Sequence, residues 1–91
     1  MCTIKLNDIM IGKEFPDSGN DLYCFILDNK DKCERIVIDM EGVSSLPSIF
    51  LNVSLGRYIE EFGVDNIRKL SFTHITKSQA ERIRDYVKKS F

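Results

Sequence analysis

Apolar and polar positions first alternate with a period of two, then recur at helical spacing. Residues 3–6 alternate as a half-buried strand does, and residues 9–11 either continue that strand or pair with it as a hairpin. A polar break follows at residues 16–19. Residues 18–30 carry apolar side chains at helical spacing and predict a helix, although residues 23–27 fit a strand equally well.

The rest of the chain alternates strands with helices. Residues 35–40 are nearly continuous apolar sequence, which is typical of a strand covered on both faces. After a turn, Ser45 or Ser48 is expected to cap a helix that runs to about residue 62 and ends at Gly63, which suits a left-handed C-cap. Residues 69–73 alternate like a strand, and a capping box at residues 76–79 begins a last helix.

This order of elements predicts an α/β fold. Strands that alternate with helices of about ten to fifteen residues favour parallel βαβ units with right-handed crossovers. The expected architecture is a mixed or mostly parallel four-stranded sheet with about three helices packed on it. Because 91 residues support one small core, we expect a single domain over residues 1–91.

Composition narrows the class of function. An apolar content of 43% and a charged content of 30% are those of an ordinary globular domain. The formal net charge of −1 leaves no concentrated basic surface for nucleic acid. No apolar run approaches the roughly 20 residues that span a bilayer, and the first residues lack the layout that is expected of a signal peptide. We therefore expect a cytoplasmic protein that binds neither nucleic acid nor membranes.

The reactive side chains form no catalytic or metal-binding pattern. Cys2, Cys24 and Cys33 lack metal-ligand spacing, so they are interpreted as free, reduced thiols. His74 is the only histidine. A histidine beside a serine or cysteine would make a nucleophile–base pair, but the sequence assigns no acid to orient it. We therefore predict no catalytic residue, no metal and no cofactor, and hence a protein that is not an enzyme.

The segment over residues 36–50 is the strongest candidate for function. An apolar strand ends there in Asp39, a turn follows, and serines precede a helix. Asp39 is expected to accept hydrogen bonds from the turn, with a role as a metal or phosphate-site acid as the alternative. Gly42 is expected to supply a positive φ in that turn. Backbone N–H groups at a helix start attract anions and partner chains. The candidate binding residues are Asp39, Glu41, Gly42, Ser44, Ser45 and Ser48.

The same segment carries a family resemblance. A buried strand ending in Asp39, the run over residues 40–43, a serine-rich turn and Phe50 together resemble STAS domains, the fold of sulfate-transporter tails and anti-sigma factor antagonists. The closer likeness is to a small STAS-like family of uncharacterised bacterial proteins, and it covers about residues 10–89. The resemblance implies a protein-interaction or regulatory domain. Its partner would be a kinase-like ATPase or another regulator, bound through the loop after Asp39 and the following helix.

One departure from the antagonists concerns phosphorylation. Their turn ends Asp-Ser-Ser-Gly, and the second serine is phosphorylated; the corresponding residues here are Pro47, Ser48, Ile49 and Phe50. Ile49 has no hydroxyl, so Ser48 is the candidate acceptor, although serines there are first of all helix caps.

Two alternatives stay open at this point. One is a small-ligand or nucleotide-binding protein that uses the C-terminal edge of the sheet. The other concerns assembly: an edge strand over residues 3–11 could pair with its copy in a homodimer.

Overall fold

The computed structural model describes residues 2–44 and 46–90. Within them, three strands and five α-helices follow one another, and a 3-10 segment over Val64–Lys69 precedes the last strand. The strands are β1 (Cys2–Lys5), β2 (Ile36–Asp39) and β3 (Leu70–Thr73). The helices are α1 (Leu6–Met10), α2 (Phe15–Asn29), α3 (Ser48–Val53), α4 (Leu55–Phe62) and α5 (Lys77–Ser90).

The sheet is entirely parallel, with β2 in the centre of the order β1–β2–β3. Ile36 and Ile38 of β2 are fully buried, as expected for a central strand that packs against helices. The register aligns Ile38 with Ile4 on one side and with Phe72 on the other. All three strands therefore run the same way, and their carboxyl ends lie at one edge of the sheet.

The predicted α/β class is confirmed, but the predicted count of four strands and about three helices is wrong. The described chain has three strands and five α-helices. The first difference lies at residues 6–10, which form α1 because Leu6 is buried and Ile9 and Met10 follow it at helical spacing. The edge strand invoked for a homodimer is therefore only Cys2–Lys5. Residues 23–27 belong to α2, which settles the helix-or-strand alternative.

The second difference is a break in the predicted helix that runs to residue 62. Ser54 leaves the helical region at φ −114° and ψ −91°, and it separates α3 from α4. Its buried hydroxyl donates to the carbonyl oxygen of Phe50 at 2.7 Å, so at the break this carbonyl accepts a hydrogen bond from a side chain. Gly63 ends α4 as predicted and has a positive φ of 98°, but its ψ of 151° lies outside the left-handed helical region that was expected of this cap.

A disulfide joins Cys2 to Cys33, and their Cα atoms lie 6.1 Å apart. This distance is ordinary for a disulfide. The prediction of free thiols is therefore wrong for these two residues. The reason is the register of the sheet, because Cys2 pairs with Ile36 and so lies beside the loop that enters β2. Cys24 is exposed and keeps a free thiol.

Among the residues described, no helix has the length and apolar character needed to cross a membrane.

Candidate functional site

The carboxyl ends of β2 and β3 bring Asp39 and His74 together. Asp39 is the last residue of β2, and Thr73 is the last residue of β3. The carbonyl oxygen of Thr73 accepts the N–H of Met40 at 2.8 Å, which holds the two strand ends side by side. His74 then takes a left-handed backbone conformation, with φ 53°. Its Nδ1 lies 2.9 Å from Oδ1 of Asp39.

The carboxylate of Asp39 is the group that His74 and the following turn both contact. Its side chain is only 12% exposed, and its Oδ1 also accepts the backbone N–H of Glu41 at 3.0 Å. The Glu41 N–H holds the pKa of Asp39 below its ordinary value, and His74 and then Lys5 act in the same direction. The carboxylate therefore stays ionised and fixes the first residues of the following turn, as the sequence predicted.

Three potential metal-ligating groups meet at this edge. One ligand atom each from Asp39, Glu41 and His74 lie within 4.8 Å of one another. Two carboxylates and an imidazole suit a divalent cation such as Zn²⁺ or Mn²⁺. The pair of Asp39 and His74 also has the form of an acid that orients a base. Within residues 2–44 and 46–90, however, no serine or cysteine hydrogen-bonds to His74, so a nucleophile is missing from this pair.

The loop after Asp39 is exposed at its tip and anchored from the other side by α5. Val43 is buried, and its carbonyl oxygen accepts Nε2 of Gln79 at 2.6 Å. Nε of Arg82 donates to the carbonyl oxygen of Leu46 at 3.1 Å. These two bonds across 36 residues of sequence fix the path of the loop. Sequence reasoning missed both anchors, because only the fold brings α5 to this loop.

The other candidate binding residues lie along this loop with different surroundings. Glu41, Gly42 and Ser44 are exposed, and Gly42 has the positive φ, 83°, that its turn was predicted to need. Ser45 lies outside the described residues. Ser48 is exposed, and its hydroxyl accepts the Arg82 guanidinium at 2.9 Å.

The interpretation of Ser48 as a helix cap is wrong. Pro47 occupies the N-cap position of α3, and Ser48 is the first residue of the helix. No side chain forms a capping hydrogen bond there. Because α3 has only six residues, its amino end offers a much weaker dipole than the long helix that was predicted. The long helix whose start was expected to attract anions is therefore replaced by two shorter ones, α3 and α4.

Apolar side chains flank the loop on the side of α1. Ile11 is 66% exposed and Phe15 is 39% exposed. Together with neighbours on the loop they line a depression of about 210 Å³, whose other residues include Met10, Val43 and Ser44. Sequence reasoning placed Ile11 in a strand and so missed this feature; helical spacing from Leu6 was the signal that could have revealed it.

A family model for a STAS-like domain of unknown function (DUF4325) matches residues 18–80. This range contains β2, α3, α4 and β3, and with them Asp39, Glu41 and His74. No curated protein and no solved structure matches the chain.

Proposed function

This chain belongs to the family of STAS-like domains of unknown function, and from that premise we propose that it is a non-catalytic regulatory domain that binds another protein. The proposed contact area is called the strand-end surface. It consists of exposed side chains on the segments that follow β1 and β2, namely Ile11, Phe15, Glu41, Ser44 and Ile49.

The observation that carries this proposal is that two exposed apolar side chains, Ile11 and Phe15, line one depression together with Ser44 of the loop after β2. Of the five large apolar side chains exposed in the described chain, Ile11, Phe15 and Ile49 belong to this surface. Scattered apolar residues on a surface need no explanation, but grouped ones mark contact sites. Burial of such side chains supplies most of the affinity at interfaces, while exposed polar groups contribute orientation.

The proposed partner is a kinase-like ATPase or another regulator. This part rests on the likeness to STAS domains. The anchored loop supports it, since a loop held by Gln79 and Arg82 meets a partner without losing much conformational freedom on binding.

Regulation through Ser48 is a further part of the proposal. Its hydroxyl is exposed and lies 2.9 Å from the Arg82 guanidinium. A phosphate there would carry nearly two negative charges and would pair with that guanidinium. Because Nε of Arg82 binds the Leu46 carbonyl oxygen at the same time, the phosphate would be coupled to the anchored loop at the strand-end surface.

Site-specific photocrosslinking tests the proposal. A photoreactive amino acid replaces Ile11 in one protein and Asp28, an exposed residue of α2, in a matched control. In an extract of the source cells, the first protein is expected to capture a defined partner that the control does not capture. Unlabelled wild-type chain should compete, and an Ile11→Ser/Ile49→Ser variant should not. Equal capture at both positions, or equal competition by the variant, contradicts the proposal.

A small-ligand site is the second candidate, and the cluster of Asp39, Glu41 and His74 favours it. Ligands of open α/β sheets bind at the carboxyl ends of the strands, where this cluster lies. A ligand that binds only the folded chain raises its Tm. Thermal shifts with Zn²⁺, Mg²⁺ and ATP therefore test this candidate, with Glu41→Gln as the matched variant. A shift that the variant retains in full would place the ligand elsewhere.

A further inference from the structure

The outer edge of β3 carries backbone groups without a neighbouring strand. Within the described residues, β3 is the last strand of the sheet and pairs only with β2. The carbonyl oxygen of Thr73 points to β2, since it accepts the N–H of Met40. Backbone groups of successive strand residues point to opposite sides, so those of Phe72 face the outer edge. Such an edge is a template for another strand.

An apolar groove of about 520 Å³ lies beside this edge, between β3 and α5. Leu70 and Ile83 are each 7% exposed, and the remaining apolar side chains around them are partly buried. We call it the β3–α5 groove; the large apolar side chains that line it are Ile67, Leu70, Phe72, Ile75, Ile83 and Val87.

Basic side chains border the groove on its α5 side. Arg84 and Lys88 both line it and lie four residues apart, on one face of the helix. In the part of the chain that the structure describes, no carboxylate lies within 4.0 Å of either side chain. The groove therefore combines an apolar floor, an open strand edge and a border whose two basic side chains form no close ion pair within the described residues.

We propose that the β3–α5 groove binds an extended segment of a partner protein that carries both apolar and acidic residues. The segment adds a fourth strand to the sheet beside β3. Its backbone pairs with the groups of Phe72 at the outer edge, and its apolar side chains contact the floor of the groove. Its acidic side chains lie next to Arg84 and Lys88, which fixes the sign of charge that the partner must carry.

Charge argues against a second copy of the chain as the occupant. A two-fold interface places the same surface of each copy against the other. Pairing β3 with β3 of another copy would bring two sets of Arg84 and Lys88 to one interface. Like charges brought together there oppose association, whereas an acidic segment neutralises them.

Selection from a random dodecapeptide library displayed on phage tests this inference. The wild-type chain is the bait, and an Arg84→Glu/Lys88→Glu variant removes binders that do not depend on the basic border. A Lys32→Glu/Lys77→Glu variant, with the same change in net charge at other exposed positions, is the matched control. We expect enriched peptides that contain both acidic and apolar residues. They should bind the control like the wild type and bind the groove variant at least tenfold more weakly.

A second measurement tests strand addition itself. Amide exchange at Phe72 should slow when the best synthetic peptide binds. A peptide with proline at the positions whose N–H groups would face β3 should not bind, because it lacks those donors.

The inference is overturned by a library without an enriched pattern, by peptides without acids, by equal affinity for the groove variant, or by unchanged exchange at Phe72. A concentration-dependent dimer that the peptides dissociate overturns it too, since the occupant would be a second copy. The Ile11→Ser/Ile49→Ser variant should bind the peptides as the wild type does, because neither residue lines the groove. Loss of peptide binding by this variant would place the peptides on the strand-end surface instead.

Discussion

The imidazole Nδ1 of His74 lies 2.9 Å from Oδ1 of Asp39, so the residue that follows β3 is bonded to the last residue of β2. The same oxygen accepts the N–H of Glu41. One carboxylate thus ties together two strand ends and the turn that begins the strand-end surface. This position explains why its ionisation is expected to matter for the fold.

The first prediction concerns the pH dependence that follows from Asp39. Its pKa is lowered in the folded chain, first by the Glu41 N–H and then by His74, with Lys5 also facing it. The ionised carboxylate therefore stabilises the fold above the unfolded pKa of about 3.9, and this contribution is lost as the pH falls through the folded pKa. Asp39→Asn should lower the Tm at pH 7, and its difference from wild type should shrink below about pH 4.

Thermal unfolding between pH 2.5 and 8 measures this difference. Glu41→Gln is the matched control, because Glu41 is exposed and its side chain does not bond to the strand ends. A difference between Asp39→Asn and wild type that stays constant down to the lowest pH would show that the charge of Asp39 does not support the fold.

The second prediction concerns the bond by which Gln79 anchors the loop. Nε2 of Gln79 donates to the Val43 carbonyl oxygen in a buried setting, and its Oε1 accepts the N–H of Thr76. Gln79→Leu leaves the Val43 oxygen without this donor, which costs about 1–3 kcal/mol for a buried polar group. Urea denaturation measures the loss.

Thr76→Ala is the matched control for this experiment. Thr76 and Gln79 form the predicted capping box, since Oγ1 of Thr76 accepts the N–H of Gln79 at 3.1 Å. Removing the cap alone costs about 0.5–2 kcal/mol. If Gln79→Leu costs no more than Thr76→Ala, the bond to Val43 contributes nothing to stability.

Local signals in the sequence predicted the features that depend on a few neighbouring residues. The capping box at Thr76, the positive φ of Gly42 and the end of α4 at Gly63 all follow from such signals. The sequence did not predict the break at Ser54. A serine whose hydroxyl bonds to a carbonyl four residues earlier, as that of Ser54 bonds to Phe50, cannot be distinguished in sequence from any other serine inside a helix.

In the candidate site, too, local patterns could be predicted from the sequence and contacts between distant residues could not. The position of Asp39 at the end of a strand could be predicted, since the apolar run before it is a local pattern. Its pairing with His74 could not, because it spans 35 residues and depends on the order of the strands. The contact of Arg82 with Ser48 depends in the same way on where α5 packs.

The third prediction concerns the close approach of α2 to α3. A Cβ atom added at Gly19 would lie 2.8 Å from the backbone oxygen of Phe50, nearer than real Cβ contacts allow. Gly19→Ala gains about 1 kcal/mol of helix propensity. Overpacking costs about 1–3 kcal/mol, so we expect a net loss of up to about 2 kcal/mol in the free energy of unfolding.

Asp28→Ala is the matched control for Gly19→Ala. Asp28 is exposed on the same helix, so alanine there should be neutral or slightly stabilising. Urea denaturation of both variants gives the comparison. A Gly19→Ala variant as stable as Asp28→Ala would mean that the helices separate at no cost, contrary to the packing described.

The last prediction concerns the disulfide between Cys2 and Cys33, which are 31 residues apart in sequence. The cross-link restricts the conformations of the unfolded chain between β1 and the entry to β2. For a loop of this length, the loss of unfolded-state entropy stabilises the fold by about 3–4 kcal/mol. Cys33→Ser should therefore lower the free energy of unfolding by about that amount. Cys24→Ser, which changes an exposed free thiol, should alter it by less than about 0.5 kcal/mol. Alkylation of the unfolded, unreduced protein followed by mass spectrometry should find one reactive thiol, and three would show that the bond does not form.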